Sequence, residues 1–314
     1  RFWLSAGCDG FRVDMAGSLV KHDEDGKGTI ALWQDIREFL DREFPHAAMV
    51  SEWGEPDKSL IGGFHMDFLL HFGPSHYNNL FRCAEPYFSK RGNGSAKEFI
   101  EAYKANYAKT NGRGLICIPS GNHDMDRLAR SLDPEELRVA FAFLLSMPGA
   151  PFIYYGDEIG MRYVEGLTSV EGGFGRTGSR SPMQWDSGLN AGFSSARPDM
   201  LYIPQDPSPA DRPDAASQSA DENSLRSEVK RLIAVRMANP ALQSNGKIEF
   251  ISDGYPLVYK RTAGAQSIAV IINPSAQEAV VPGISGRLVY SIGSAEVKEN
   301  STVIGGCSAA FVEL

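Results

Sequence analysis

The chain has 314 residues, 42% of them hydrophobic and 22% charged, and a formal net charge of −8. So much apolar content fills a large core, which excludes disorder for the bulk and fits one large domain plus a small one. The negative balance, with no dense Lys/Arg block, excludes a nucleic-acid partner; no apolar run approaches the roughly 18 residues a membrane span needs, so no membrane partner is expected.

The first strand candidate covers residues 8–14, where Arg12 and Asp14 stand at i and i+2 and leave the strand on one face. The helical pattern "LWQDIREFLDREF" follows, and then a strand over 48–52 ends in Glu52 beside Trp53. A third strand candidate lies at 64–70. Ser95 and Glu98 form an S-x-x-E capping box ahead of "FIEAYKANYAK", a helix that stops before Gly112. The fourth strand candidate, 115–120, runs into "GNHD" with His123 and Asp124. Asp133, Pro134 and Glu136 start the helix "LRVAFAFLLSM". The fifth strand candidate, 151–156, carries Tyr154 and Tyr155 and leads to Asp157 and Glu158. The stretch Tyr202 to Ser224 is too rich in Pro, Asp and Ser for a regular element and reads as a long loop. The helix "LRSEVKRLIAVRMAN" closes this half. Strands alternating with helices mean a parallel sheet with crossover helices.

From Gly246 the pattern changes to short alternating segments, "KIEFIS", "LVYKR", "SIAVIIN", "GRLVYSI" and "SAAFVEL", which read as an antiparallel β domain over 246–314. The boundary falls near Asn245, with an α/β domain over 1–245. Cys8, Cys83, Cys117 and Cys307 show no paired spacing and read as free thiols packed as small hydrophobes. His22, His46, His65, His71 and His76 have no ligand-like spacing, so no metal site is expected from them.

Parallel α/β sheets place active sites at the carboxyl ends of their strands. An acid at one strand end is an ordinary helix cap or surface group. Three acids with an arginine and a histidine, all at strand ends of one sheet, match what glycosidic bond cleavage needs: an ionised nucleophilic carboxylate and a protonated acid across the bond. Arg12 is placed to keep Asp14 ionised. Glu52, next to Trp53, is expected to keep its proton.

"GFRVD", "SEW" and "GNHD", in this order, resemble the blocks that carry the catalytic residues of the α-amylase family of glycoside hydrolases, and "PGAPFIYYGDEIGM" resembles its eighth-strand block. The resemblance implies a (β/α)8 TIM barrel. It makes Asp14 the nucleophile, Glu52 the acid/base and Asp124 the third acid, which grips sugar hydroxyls, with Arg12 and His123 as accompanying site residues. "SRSPMQWDSGLNAGFS" resembles a loop of oligo-1,6-glucosidases, α-glucosidases and trehalose synthases, with Ser181 where Thr is more usual. This implies a pocket for short α-glucosides and nominates Arg180 for substrate binding; Met183 and Trp185 fit equally well as the loop's own hydrophobic anchor.

Two departures bear on the reading. Gly17 and Ser18 stand where many α-amylases carry Lys-His, so an amylase-type calcium site is not implied here; no cofactor is expected, and calcium, if used, belongs to an N-terminal part. Only five strand candidates precede Gly246. On the resemblance they are barrel strands four to eight, with Phe2 to Ala6 the tail of the third helix, so the chain is expected to be the C-terminal part of a longer enzyme whose missing N-terminal barrel half lies in the same or another chain. The fragment alone is expected to be inactive. Three functions stay open: a retaining α-glycoside hydrolase acting on oligosaccharides, a transglycosylase or isomerase of the trehalose synthase type, and a non-catalytic barrel relic that binds sugar or a partner.

Overall fold

The computed structural model describes residues 1–314. In chain order its elements are α1 (Phe2–Ser5), β1 (Gly10–Val13), α2 (Lys27–Glu43), β2 (Ala48–Ser51), α3 (Pro56–Ser59), β3 (Met66–Phe68), α4 (Asn78–Phe81), α5 (Lys97–Thr110), β4 (Leu115–Cys117), α6 (Pro134–Ser146), α7 (Ala215–Ala220), α8 (Leu225–Ala238), β5 (Lys247–Asp253), β6 (Leu257–Ala263), β7 (Gln266–Asn273), β8 (Ala279–Pro282), β9 (Arg287–Ile292), β10 (Ala295–Lys298), β11 (Ser301–Ile304) and β12 (Ser308–Glu313). The chain divides into two compact units. The first comprises Arg1–Tyr77, Lys97–Ile118 and Pro148–Pro151; the second comprises Asn78–Ala96, Pro119–Met147 and Phe152–Leu314.

The first unit holds a parallel sheet in the order β1-β2-β3-β4. Each strand is too short to be stable by itself. Helix α2 supplies cover: Thr29, Trp33 and Leu40 recur on one side of it and are buried, and the Trp33 ring packs on Phe64 with centroids 4.7 Å apart. The indole N–H of Trp33 also donates to the Ala16 carbonyl at 2.9 Å, which ties the helix to the segment that follows β1. The helix starts five residues before the apolar run that announced it, because the Asp23 carboxylate accepts from the Gly28 and Thr29 amides at 3.0 and 2.7 Å.

In the second unit α6 is buried along nearly its whole length, as an all-round apolar helix must be. Its capping box forms as read: Asp133 accepts from the Glu135 and Glu136 amides, and the Glu136 carboxylate accepts from the Asp133 amide at 2.7 Å. The strands after Lys247 are all antiparallel, in a five-stranded sheet ordered β5-β6-β7-β12-β9 and a three-stranded sheet ordered β10-β11-β8. Val258, Ala269, Ile271, Ile304 and Val312 pack into one core there.

Two expectations need correction. The segment 151–156 is not a strand: it makes a single parallel bridge, Pro119 to Phe152, before Gly156 turns the chain at φ +85°. The stretch Tyr202 to Ser224 is not without regular structure, since α7 forms in it, capped by the Asp214 carboxylate accepting from the Ser217 amide at 2.8 Å.

Candidate active site

Three candidate residues meet in the first unit. Strands β1 and β2 pair in parallel with Arg12 opposite Val50 and Val13 opposite Ser51, so the residues just past both strand ends, Asp14 and Glu52, become neighbours. The backbone holds them there: the Glu52 amide donates to the Val13 carbonyl at 2.9 Å, and the Ala16 amide donates to the Glu52 carbonyl at 3.2 Å. Arg12 donates to Asp14 through one terminal nitrogen at 2.5 Å and reaches Glu52 through the other at 2.7 Å. One guanidinium therefore serves both carboxylates; the sequence had assigned it to Asp14 alone and set Glu52 apart beside Trp53, and the structure instead gives both acids the same cation. The two acids differ in surroundings: the Asp14 side chain is 74% exposed and that of Glu52 only 14%. Met15, in the left-handed region at φ 46°, turns the chain so that its amide points at Glu52 Oε2, 3.5 Å away.

Gly17 has a steric reason. A Cβ added there would lie 2.6 Å from Nε1 of Trp53, so no side chain fits at this position while the indole stays where it is.

The other candidate residues meet in the second unit. Asp124 begins just past the Asn122 side chain, which accepts from its amide at 2.8 Å. Its carboxylate receives Arg176 at 2.7 Å and Arg180 at 3.0 Å, and His123 Nε2 lies 3.4 Å away. Arg180 also donates to the His123 carbonyl at 2.8 Å. Arg176 was missed. Its signal was its place one helical turn before Arg180, in a glycine-bracketed segment that the structure winds into a 3-10 helix over Phe174–Arg180.

Behind this cluster, Arg127 is 1% exposed and packs its guanidinium against the rings of Tyr154 and Tyr155, 4.5 and 4.7 Å from their centroids. It donates to Tyr155 O and, at 3.3 Å, to the buried Asp157, whose other oxygen accepts from Ser120 Oγ at 2.7 Å. Tyr155 in turn donates to the Ser181 carbonyl at 2.8 Å. A cavity of about 400 Å³ is lined by Tyr155, Glu158, Arg180, Met183, Trp185 and Tyr202 among others, and burial pushes the Glu158 carboxyl above its ordinary value. Trp185, at 52% exposure, is therefore not the loop's buried anchor; Met183, 7% exposed, packs with Ile159 and Met161 and is. A larger cavity, of about 880 Å³, contains none of the candidate site residues. No group of three or more His, Cys, Asp or Glu is arranged to hold a metal ion, and no helix is long and apolar enough to cross a membrane.

The chain is 28% identical over 327 residues to α-amylase 3 of Dictyoglomus thermophilum, an alignment that covers 100% of this chain and 60% of that protein. It is 29% identical over 282 residues to the trehalose synthase/amylase TreS of Mycobacterium tuberculosis, covering 77% of this chain and 45% of TreS. With the oligo-1,6-glucosidase of Parageobacillus thermoglucosidasius it shares 27% identity, over 87% of this chain and 58% of the relative. The chain thus spans about half to three-fifths of the length of these relatives. Among solved structures, a trehalulose synthase MutB variant in complex with Tris superposes with a TM-score of 0.80 at 19% identity, over 100% of this chain and 67% of that one. The α-amylase from H. orenii gives 0.76 at 24% identity, over 99% and 62%. These likenesses establish the fold. The α-amylase catalytic-domain family model matches residues 1–245, and the chain belongs to the α-amylase family.

Proposed function

We propose that the protein is a retaining α-glycoside hydrolase acting on short α-glucosides. The observation that supports this most is the sharing of Arg12 between Asp14 and Glu52. One guanidinium reaches both carboxylates only if they stand close enough to flank a single glycosidic bond, which is compatible with the roughly 5–5.5 Å of retaining enzymes; the choice of retention over inversion follows the resemblance to the α-amylase family. In this reading β1 to β4 are barrel strands four to seven, and the segment 151–156 stands at the place of strand eight.

The exposed Asp14 carboxylate attacks C1 of the glucosyl unit, and the glycosidic oxygen leaves with the proton of Glu52. The product of this step is a glucosyl ester on Asp14. Glu52, now a carboxylate, takes a proton from water; the resulting hydroxide equivalent attacks C1, and Asp14 leaves, so the α configuration is restored. Asp124, clamped by Arg176 and Arg180, is the acid that grips sugar hydroxyls, with His123 beside it.

A second reading, transfer of the same glucosyl ester to a sugar, is favoured by the resemblance to TreS. Incubating the intact gene product with maltose or with p-nitrophenyl α-glucoside and following products by NMR tests both. On p-nitrophenyl α-glucoside, whose only sugar is the transferred one, glucose released first as the α anomer supports retaining hydrolysis. Trehalose or longer saccharides from maltose would move the assignment to transfer, and β-glucose as the first product from the nitrophenyl substrate would overturn the covalent mechanism.

A further inference from the structure

Asp67 is an acid with no place in that chemistry, yet it is completely buried in the first unit. It sits on β3 opposite Ser51, the last residue of β2, and Glu52 follows directly. Its Oδ1 accepts from two successive amides, Trp53 at 3.3 Å and Gly54 at 3.4 Å. Its Oδ2 accepts from Ser59 Oγ at 2.7 Å. All three donors lie in the segment that leaves the strand end at Glu52. Gly54 is at φ +76°, and a Cβ there would come 2.7 Å from the Phe72 ring, so this turn has little room to find another shape. An apolar residue at position 67 would leave the Trp53 and Gly54 amides without an acceptor in a buried place, and the turn would have to open to satisfy them.

We propose that Asp67 is a positioning residue for Glu52: by holding the two amides after it, Asp67 fixes where the Glu52 carboxyl stands at the end of β2. This rests on Glu52 being the acid/base. Asn keeps an acceptor oxygen at Oδ1 and turns an amide toward Ser59 Oγ, which can accept; Ala keeps neither. General acid help matters most when the leaving group is poor, so displacement of Glu52 shows as loss that depends on the leaving group.

The test compares Asp67→Asn, Asp67→Ala, Ser59→Ala and Glu52→Gln in the intact gene product, on maltose and on p-nitrophenyl α-glucoside. Asp67→Ala is expected to lower kcat/KM on maltose about 10-fold or more, with a clearly smaller loss of kcat/KM on the nitrophenyl substrate, because kcat/KM reports the step in which Glu52 acts as acid and not the later one, common to both substrates, in which it acts as base. Asp67→Asn is expected to restore kcat/KM to within about threefold. Hydrogen exchange at the Trp53 and Gly54 amides should quicken in Asp67→Ala and stay protected in Asp67→Asn. Should Asp67→Ala not fold, Ser59→Ala, which removes the Oδ2 donor alone, is expected to show the same leaving-group bias to a smaller degree. Equal losses of kcat/KM on both substrates, or an Asn variant as impaired as Ala, would overturn the proposal. Glu52→Gln separates the two claims. If its kcat/KM shows no leaving-group bias, the acid/base reading fails; the exchange data then still decide whether Asp67 holds the turn.

Discussion

Replacing Arg127 by Met removes a buried cation while nearly keeping its volume, so the cost measures interactions lost and not a cavity. The guanidinium is 1% exposed and Asp157 2% exposed, and Met would leave Asp157 with Ser120 Oγ but no positive partner. Breaking a buried pair from one side typically costs about 3–5 kcal/mol. Two facts put this case at the low end, about 3 kcal/mol: the Asp157 contact is long at 3.3 Å, and Nε and Nη2 of Arg127 find no hydrogen-bond acceptor in the protein, so the wild type already carries part of the desolvation penalty. Asp157→Asn should cost less, because Asn still accepts from Ser120. Urea unfolding of the two single variants and of Arg127→Met/Asp157→Asn closes a double-mutant cycle. The double variant is expected to be more stable than the sum of the singles by at least about 1 kcal/mol. If Arg127→Met costs under about 1 kcal/mol, or the cycle is additive within about 0.5 kcal/mol, the buried pair does not hold this loop together.

Asp133→Ala removes the α6 cap and should cost about 1 kcal/mol in urea unfolding. Its carboxyl is partly desolvated, which works against ionisation, but Lys90 at 2.6 Å and the Glu135 and Glu136 amides outweigh that and hold it below the ordinary value. The Asp133 contribution is therefore complete above the ordinary carboxylate range, near 3.8, and is lost as pH falls through the lowered value. Asp67 has the opposite sign: burial pushes its carboxyl up, so the native state keeps the proton longer than the unfolded chain and stability falls as pH rises from near 3.8 through the raised value. Asp67→Asn should flatten that fall, and an unchanged pH–stability curve would contradict it. Arg176→Ala and Arg180→Ala each leave the other guanidinium on Asp124, so each should lower kcat/KM by about 10-fold, and the double variant by more than the product of the two.

Where local chemistry decided the outcome, the sequence was readable. The Asp133–Glu136 box announced α6, and the alternating segments after Gly246 became β5, β6, β7, β9 and β12. Strands β8, β10 and β11, of four residues each, are too short for alternation to separate them from turns. The 151–156 segment misled because Phe152, Ile153, Tyr154 and Tyr155 look like a strand, yet the tyrosines are drawn onto the Arg127 guanidinium instead of into a ladder. At the site, spacing alone placed Arg12 and Asp14 together. What spacing could not reveal is tertiary: that β1 and β2 pair in a register giving Arg12 two carboxylates, that Arg176 reaches Asp124 from 52 residues away, and that Asp67 holds the turn after Glu52.

A 5-fluoro-α-glucosyl fluoride traps the glucosyl ester, and peptide mass spectrometry of the intact gene product identifies the labelled residue. A single covalent 5-fluoroglucosyl adduct is expected on the peptide containing Asp14, absent in Asp14→Asn. Label on another carboxylate, or turnover of the fluoride with no adduct at any time point, would contradict it.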